Sequence, residues 1–377
     1  MDYQKLFESD ISMDAVKAWK AKGKKAVGVI CCHVPEEIFY AADVLPVRMR
    51  STNITETSEA QMWMSSFSCS FARGMLQGWL EGPYKELDGI VTSDGCMQAS
   101  RVHDNARYIN IRNNTGKFIR QVDAPRKVND HAFPFYEAEL KDLIHDLEEL
   151  SGVKVTDERL KAAVEKSNEV RRLVAELFEL RKEENPVISG ADCLRITLAV
   201  TNMPIDEYAE LLKAFLADAK SRKPVTDHRC RVMVIGSALD DPKYLELIES
   251  KGALVVQDAL CFGGRGFNVP IEIDDRDVLG SISKYYLEHL VCPRMMDKHF
   301  EMDDYIMDTC KAWNVDGIIY ERMQYCEIWG GESAYFLDRF KNAGIPVLTV
   351  EREEQLSNEG QLGIRVEAFV EMIESNK

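Results

Sequence analysis

Along most of the chain, short and nearly uninterrupted apolar runs alternate with stretches of helical periodicity. Ala26-Val27-Gly28-Val29-Ile30 reads as a buried strand. Pro35 then opens a helix carrying Ile38, Tyr40, Ala41 and Ala42, since proline suits a first helical turn. Leu87-Asp88-Gly89-Ile90-Val91 reads as a second strand, less purely apolar than the first. From about residue 136 the pattern turns helical: Leu140, Leu143, Ile144, Leu147 and Leu150 keep helical spacing, as do Leu160, Ala163, Val164, Val170 and Leu173 within 157–184. Strand-like runs return at Arg231–Gly236, Ala253–Val256, Gly317–Tyr320 and Ile345–Val350. Apolar runs between helices predict parallel sheets covered on both faces. The expected architecture is α/β: two doubly wound parallel-sheet units, residues 1–135 and 229–377, joined by a helical segment, 136–228.

A length of 377 residues suits two or three domains. Acidic residues number 63 against 47 basic, a net charge of −16, which argues against a nucleic-acid surface or an anionic-membrane binder. Hydrophobic content of 45% with 29% charged residues is ordinary for a globular chain. The longest near-apolar stretch, Ala26–Val34, contains His33 and falls far short of the ~18 residues of a membrane span. The N-terminus shows no secretory pattern, so the expectation is a soluble, cytoplasmic protein.

Ten cysteines change the picture. In a chain without an export signal they should be reduced, which leaves burial, metal binding or catalysis. No CxxC pair occurs, so ligands to any metal must come from distant parts of the chain. In open α/β sheets, ligands bind beyond the carboxyl ends of the strands. Cys31-Cys32, Cys96, Cys261 and Cys326 each follow a predicted strand. Cys69 belongs with a helix whose face is Ala72, Met75, Leu76, Trp79 and Leu80, with Ser66 or Ser68 as the expected N-cap; the helix dipole there favours a thiolate. Soft thiolates select iron–sulfur clusters, zinc or copper(I), although free cysteine also packs as a small hydrophobe. Cys193, Cys230, Cys292 and Cys310 read as core or surface cysteines.

The run Gly28-Val29-Ile30-Cys31-Cys32-His33-Val34-Pro35-Glu36-Glu37-Ile38-Phe39-Tyr40-Ala41-Ala42, closing with Leu45-Pro46-Val47-Arg48, resembles the opening of the 2-hydroxyacyl-CoA dehydratase and benzoyl-CoA reductase family. Cys69-Ser70-Phe71-Ala72-Arg73-Gly74, the Leu87–Val91 run leading to Cys96 and Arg101, and Cys326-Glu327-Ile328-Trp329-Gly330-Gly331-Glu332 agree with it in order and spacing. The resemblance implies two Rossmann-like units around a [4Fe-4S] cluster, with Cys69, Cys96 and Cys326 as ligands and a non-cysteine fourth position that binds a substrate oxygen. Cys32 or Cys261 is an alternative fourth ligand, and Met97 stands where the family commonly carries an acidic residue.

The resemblance further implies a low-potential electron delivered to an acyl-CoA thioester. Water is then lost from a 2-hydroxyacyl-CoA or, in the runner-up reading, an aromatic acyl-CoA is reduced. A non-catalytic electron-transfer subunit is the rival from another class. The chain has no GxxxxGK followed by Ser or Thr, so a separate ATP-dependent iron–sulfur activator is implied, together with a homologous second subunit in a heterodimer. Glu36, Glu37 and His33 lie between the first strand and its helix; Glu37 and His33 are the candidates for proton handling, against the simpler roles of dipole partner and structural histidine. For the anionic CoA, candidate substrate-binding residues are Arg48, Arg101 and Arg265. Arg101 opens a run to Lys127 with seven basic residues against two acidic, and Arg265 lies in the glycine-rich Cys261–Gly266 loop.

Overall fold

A computed structural model describes residues 3–8, 10–267, 269–289 and 292–376. Its eight strands form two four-stranded sheets with every pairing parallel. The first contains β1 (Ala26–Ile30), β2 (Leu45–Arg48), β3 (Gly89–Ser93) and β4 (Phe118–Val122), in the order β2-β1-β3-β4. The second contains β5 (Cys230–Gly236), β6 (Ala253–Ala259), β7 (Gly317–Met323) and β8 (Val347–Arg352), in the order β6-β5-β7-β8. Each chain segment winds outward from its first strand and then back over it. The crossover reverses between β1 and β3 and again between β5 and β7, which are the two switch points. The α/β fold with two doubly wound parallel units is as the pattern predicts.

β2 and β4, one edge strand on each side of the first sheet, do not stand out in the sequence pattern because neither carries an unbroken apolar run. Pro46 in β2 sits where no inner ladder needs its missing donor, and β4 is half-exposed Phe-Ile-Arg-Gln-Val with no apolar run. The second predicted strand begins two residues late, at Gly89, because Asp88 turns its carboxylate to the Ala26 N–H and its own N–H to the Ala26 carbonyl.

Four helices lie between β4 and β5: Ala132–Ser151, Asp157–Glu179, Gly190–Ala199 and Ile205–Ala219. The second is capped by Thr156 and ties the two sheets together from one side. Asn168 exchanges hydrogen bonds with the backbone of Ile271, and Arg171 pairs with Glu37 at 2.6 Å. Among the described residues no helix is long and apolar enough to cross a membrane.

A buried clamp fixes how the carboxyl ends of the strands meet. Asp240, just after β5, accepts hydrogen bonds from the Ser51 N–H at 2.7 Å and the Thr52 N–H at 3.1 Å, just after β2, and lies 3.8 Å from the Arg50 guanidinium. Burial opposes its ionisation, yet a hydrogen bond from Glu354, the Arg50 charge and the two N–H groups hold its carboxyl below the usual range. Asp240→Ala withdraws that acceptor from a sealed cation and two N–H groups. The expected loss is about 3 kcal/mol of unfolding free energy in anaerobic urea denaturation; a loss below about 1 kcal/mol, the worth of an exposed pair, would contradict the clamp.

Candidate metal centre between the two sheets

Both switch points open on one cavity of about 140 Å³. β1 ends in Ile30, Cys31 and Cys32 at its wall, and the loop after β3 brings Gly95, Cys96, Gln98 and Ala99. From the second unit come Ser237 and Ala238 after β5, Cys261, Phe262 and Arg265 after β6, and Met323, Cys326, Ile328 and Trp329 at and after β7. Cys69 enters from the start of its helix, and Cys292 and Arg294 complete the wall. Seven of the ten cysteines therefore face one space. The lining includes Arg48, Arg265 and Arg294 and, among the described residues, no carboxylate.

Cys69, Cys96 and Cys326 share one local geometry. Each is the N-cap residue of a helix, namely Ser70–Leu80, Met97–Asn113 and Glu327–Asn342. The Cys96 Sγ accepts the Ala99 N–H at 3.4 Å; Cys69 and Cys326 make no such cap bond, although the N–H groups of Ala72 and Trp329 favour their thiolates. Ser237 also bonds the Cys326 sulfur. Ser66 and Ser68 do not cap the first of these helices; the cysteine holds the cap position itself. Three helix N-termini converge on the cavity, so its field favours anions. Against that field, burial pushes the Cys69 thiol up to about 12 and raises Cys96 and Cys326 too, with neighbouring sulfurs and Glu327 adding to the effect. Any metal bound here would have to displace protons that burial favours.

No three of the cavity sulfurs lie within 4.8 Å of one another among the described residues. A tetrahedral zinc ion, with Zn–S bonds of ~2.3 Å, needs ligand sulfurs roughly 3.8 Å apart. The thiol set is thus too open for one ion. Its softness is compatible with a multi-iron cluster.

Backbone strain marks the same place. Of the six non-glycine residues with left-handed φ among the described residues, four are Asn or Asp, for which this is common; the other two are Cys31 (81°) and Tyr325 (65°), the neighbour of Cys326. A Cβ on Gly95 would come within 2.4 Å of the Cys31 Sγ, so glycine is what lets the β3 loop approach that thiol. Cys31, Cys32 and Cys261 form a hydrogen-bonded row. Donation from Cys32, helped by Arg48, lowers the Cys31 pKa, whereas Cys32 is pushed up to about 11: a bond from Cys261 favours its thiolate, but donation to Cys31 and burial outweigh it. Arg265 donates to the Cys261 sulfur, and its buried Nε and Nη1 have no partner.

Cys32, Cys261, Arg48 and Arg265 join the three ligand candidates at the wall. Cys292, read from sequence as a core or surface thiol, lies there too; it follows no strand, and neither does Arg294, so position after a strand marks neither of them. Arg101 is not brought to the cavity: it is exposed on its helix and pairs with Asp104 at 2.5 Å. The basic run around it is also partly neutralised, Arg120 by Glu139, Asp142 and Asp146, and Arg126 by Asp94. Glu37 lines an adjoining pocket of about 90 Å³ that shares Cys32, Arg48, Cys261 and Phe262 with the cavity. Its two oxygens are held by Arg171 at 2.6 Å and the Tyr286 hydroxyl at 2.8 Å. Glu36 lines that pocket as well, and burial raises its pKa. His33 is fully buried with both ring nitrogens unpartnered, and burial together with Arg294 and Arg265 keeps it neutral.

A family model described as "2-hydroxyglutaryl-CoA dehydratase, D-component" matches residues 31–373. The chain is 24% identical to the (R)-phenyllactyl-CoA dehydratase beta subunit of Clostridium sporogenes over 95% of this chain and 94% of that one. It is 25% identical to a benzoyl-CoA reductase subunit of Thauera aromatica, over 95% and 92% of the two chains. It is 23% identical to the beta subunit of the (R)-2-hydroxyglutaryl-CoA dehydratase of Acidaminococcus fermentans, over 99% and 98%. These relatives are subunits of enzymes named for CoA thioesters.

Gly95→Ala tests the close approach at the thiol row. Overpacking against the Cys31 sulfur should cost about 1–3 kcal/mol in anaerobic denaturation; an unchanged unfolding midpoint would contradict the contact.

Proposed function

We propose that this chain, which belongs to the 2-hydroxyglutaryl-CoA dehydratase D-component family, is the iron–sulfur subunit of a radical 2-hydroxyacyl-CoA dehydratase-type lyase. The observation that carries the reading is the set of three cysteines, drawn from both sheet units, that cap three helices at one apolar cavity. Cys69, Cys96 and Cys326 would hold a [4Fe-4S] cluster. When bound, such a cluster supplies one-electron chemistry at low potential.

The chain's own residues supply the setting. The N–H groups of Ala72, Ala99 and Trp329 stabilise thiolate charge, and Arg48, Arg265 and Arg294 balance the anion that thiolate ligation creates. Phe71, Met75, Ile328 and Trp329 exclude water. Arg48 lines both the cavity and the adjoining pocket, which supports a role for it at the acyl end of a CoA thioester. His33 lines neither pocket, and its burial beside Arg294 and Arg265 disfavours a proton there; Glu37, braced by Arg171 and Tyr286 at the adjoining pocket, is the candidate left for proton handling. Arg101, at the surface, is left for the CoA phosphates or a partner face. A homologous second subunit and an ATP-dependent activator complete the proposed cytoplasmic system. The similarity to both dehydratase subunits and a benzoyl-CoA reductase subunit leaves aromatic acyl-CoA reduction as the nearest alternative.

A second reading has its own support. Cys31, Cys32, Cys261 and Cys292 line the same cavity, more thiol than an open fourth position calls for. A fourth thiolate would close the cluster to substrate and make this chain an electron carrier.

Anaerobically purified protein is expected to carry about four iron atoms per chain, and Cys96→Ala or Cys326→Ala to lose them; full iron in both variants would overturn the ligand set. With the partner present, a CoA thioester added to the reduced protein should alter the cluster's EPR signal. No change with any thioester would favour the carrier.

A further inference from the structure

The helix His299–Ala312 packs beside the helix capped by Cys326, and between them lies a group of polar side chains that the cysteine cavity does not use. His299 and Asp303 are one turn apart on a single helical face, and Glu332 meets them from the other helix. One ligand atom from each of the three lies within 4.8 Å of the others, the only such trio of His, Cys, Asp or Glu among the described residues. Asp303 is 1% exposed. Its Oδ2 accepts from Arg339 at 3.2 Å, but its Oδ1 is sealed from solvent and has no partner. The His299–Glu332 contact is long, at 3.4 Å. A carboxylate oxygen buried without a partner forfeits its hydration and gains nothing in return, so it calls for a ligand.

We propose that His299, Asp303 and Glu332 bind one divalent cation of the manganese or zinc class. One imidazole nitrogen and two carboxylate oxygens form a borderline-to-hard donor set, unlike the soft thiols of the cavity. Arg339 holds the Asp303 carboxylate from its far side and fixes its orientation. The ion would pin His299–Ala312 to the helix that presents Cys326. The site does not depend on the proposed function.

Mn²⁺ is the discriminating probe, because it prefers oxygen and nitrogen ligands and leaves thiols largely alone. The full chain, titrated anaerobically, should quench the aqueous Mn²⁺ EPR signal with about one ion per chain, and Mn²⁺ should raise the unfolding temperature. His299→Ala, at a partly exposed position, and Glu332→Gln, which keeps the side chain's shape, should weaken binding at least roughly tenfold and abolish the thermal shift. Asp303→Asn should do the same. No Mn²⁺ binding by the unsubstituted chain, or binding untouched by His299→Ala and Glu332→Gln, would overturn the site.

Discussion

Sulfur that is buried and uncharged is stable; sulfur that is buried and charged must be compensated. The whole architecture turns on that opposition. Burial of Cys69 lifts its thiol to about 12, which makes the bare thiolate costlier by roughly 4 kcal/mol than an exposed one. Three helix N-termini and three arginines lean the other way, each favouring negative charge in the same small space. Apparent binding energies for structural thiolate metal sites are about 10–16 kcal/mol, so a metal unit can outweigh the cost of deprotonating several such groups. Bare, the thiols are neutral beside three arginines; those cations would offset the charge that thiolate ligation creates.

The fold produces this by using one device twice. In each unit the reversal of strand order leaves a crevice at the carboxyl ends of the strands, and the two crevices face each other. A single unit would offer thiols from one side only. Asp240, with Arg50, Ser51 and Thr52, sets the spacing between the units; Asn168 and Arg171 brace them from the helical side. Smaller contacts cross at the rim, where the Met97 N–H donates to Glu327 at 2.7 Å and the Glu354 N–H to Ser70 at 2.8 Å. Met97, departing from the acidic residue expected there, contributes its backbone to this join.

Much of this is legible in the chain. Cys31, Cys32, Cys96, Cys261 and Cys326 can be placed because each follows a run whose buried, strand-like character is a local property. Cys69 needs only the helical stripe beyond it. What stays hidden depends on residues far apart. The Asp240 clamp joins positions nearly 190 apart and leaves no mark on either segment's periodicity. Cys292 and Arg294 reach the wall from a stretch with no strand before it, and the edge strands β2 and β4 carry too few apolar positions to announce themselves. Arg101 is drawn in by charge counting, which enters Asp104 in the total but does not register that it pairs with Arg101 itself, one helical turn away.

Whether thiols from both units grip one inorganic unit at the facing crevices is a question of position. An iron anomalous-difference map from anaerobically grown crystals of the loaded protein answers it most directly. The expected result is compact iron density between the ends of β3 and β7, within bonding reach of the sulfurs of Cys69, Cys96 and Cys326. Iron density elsewhere on the molecule, or bonded by only one of the two units, would contradict it.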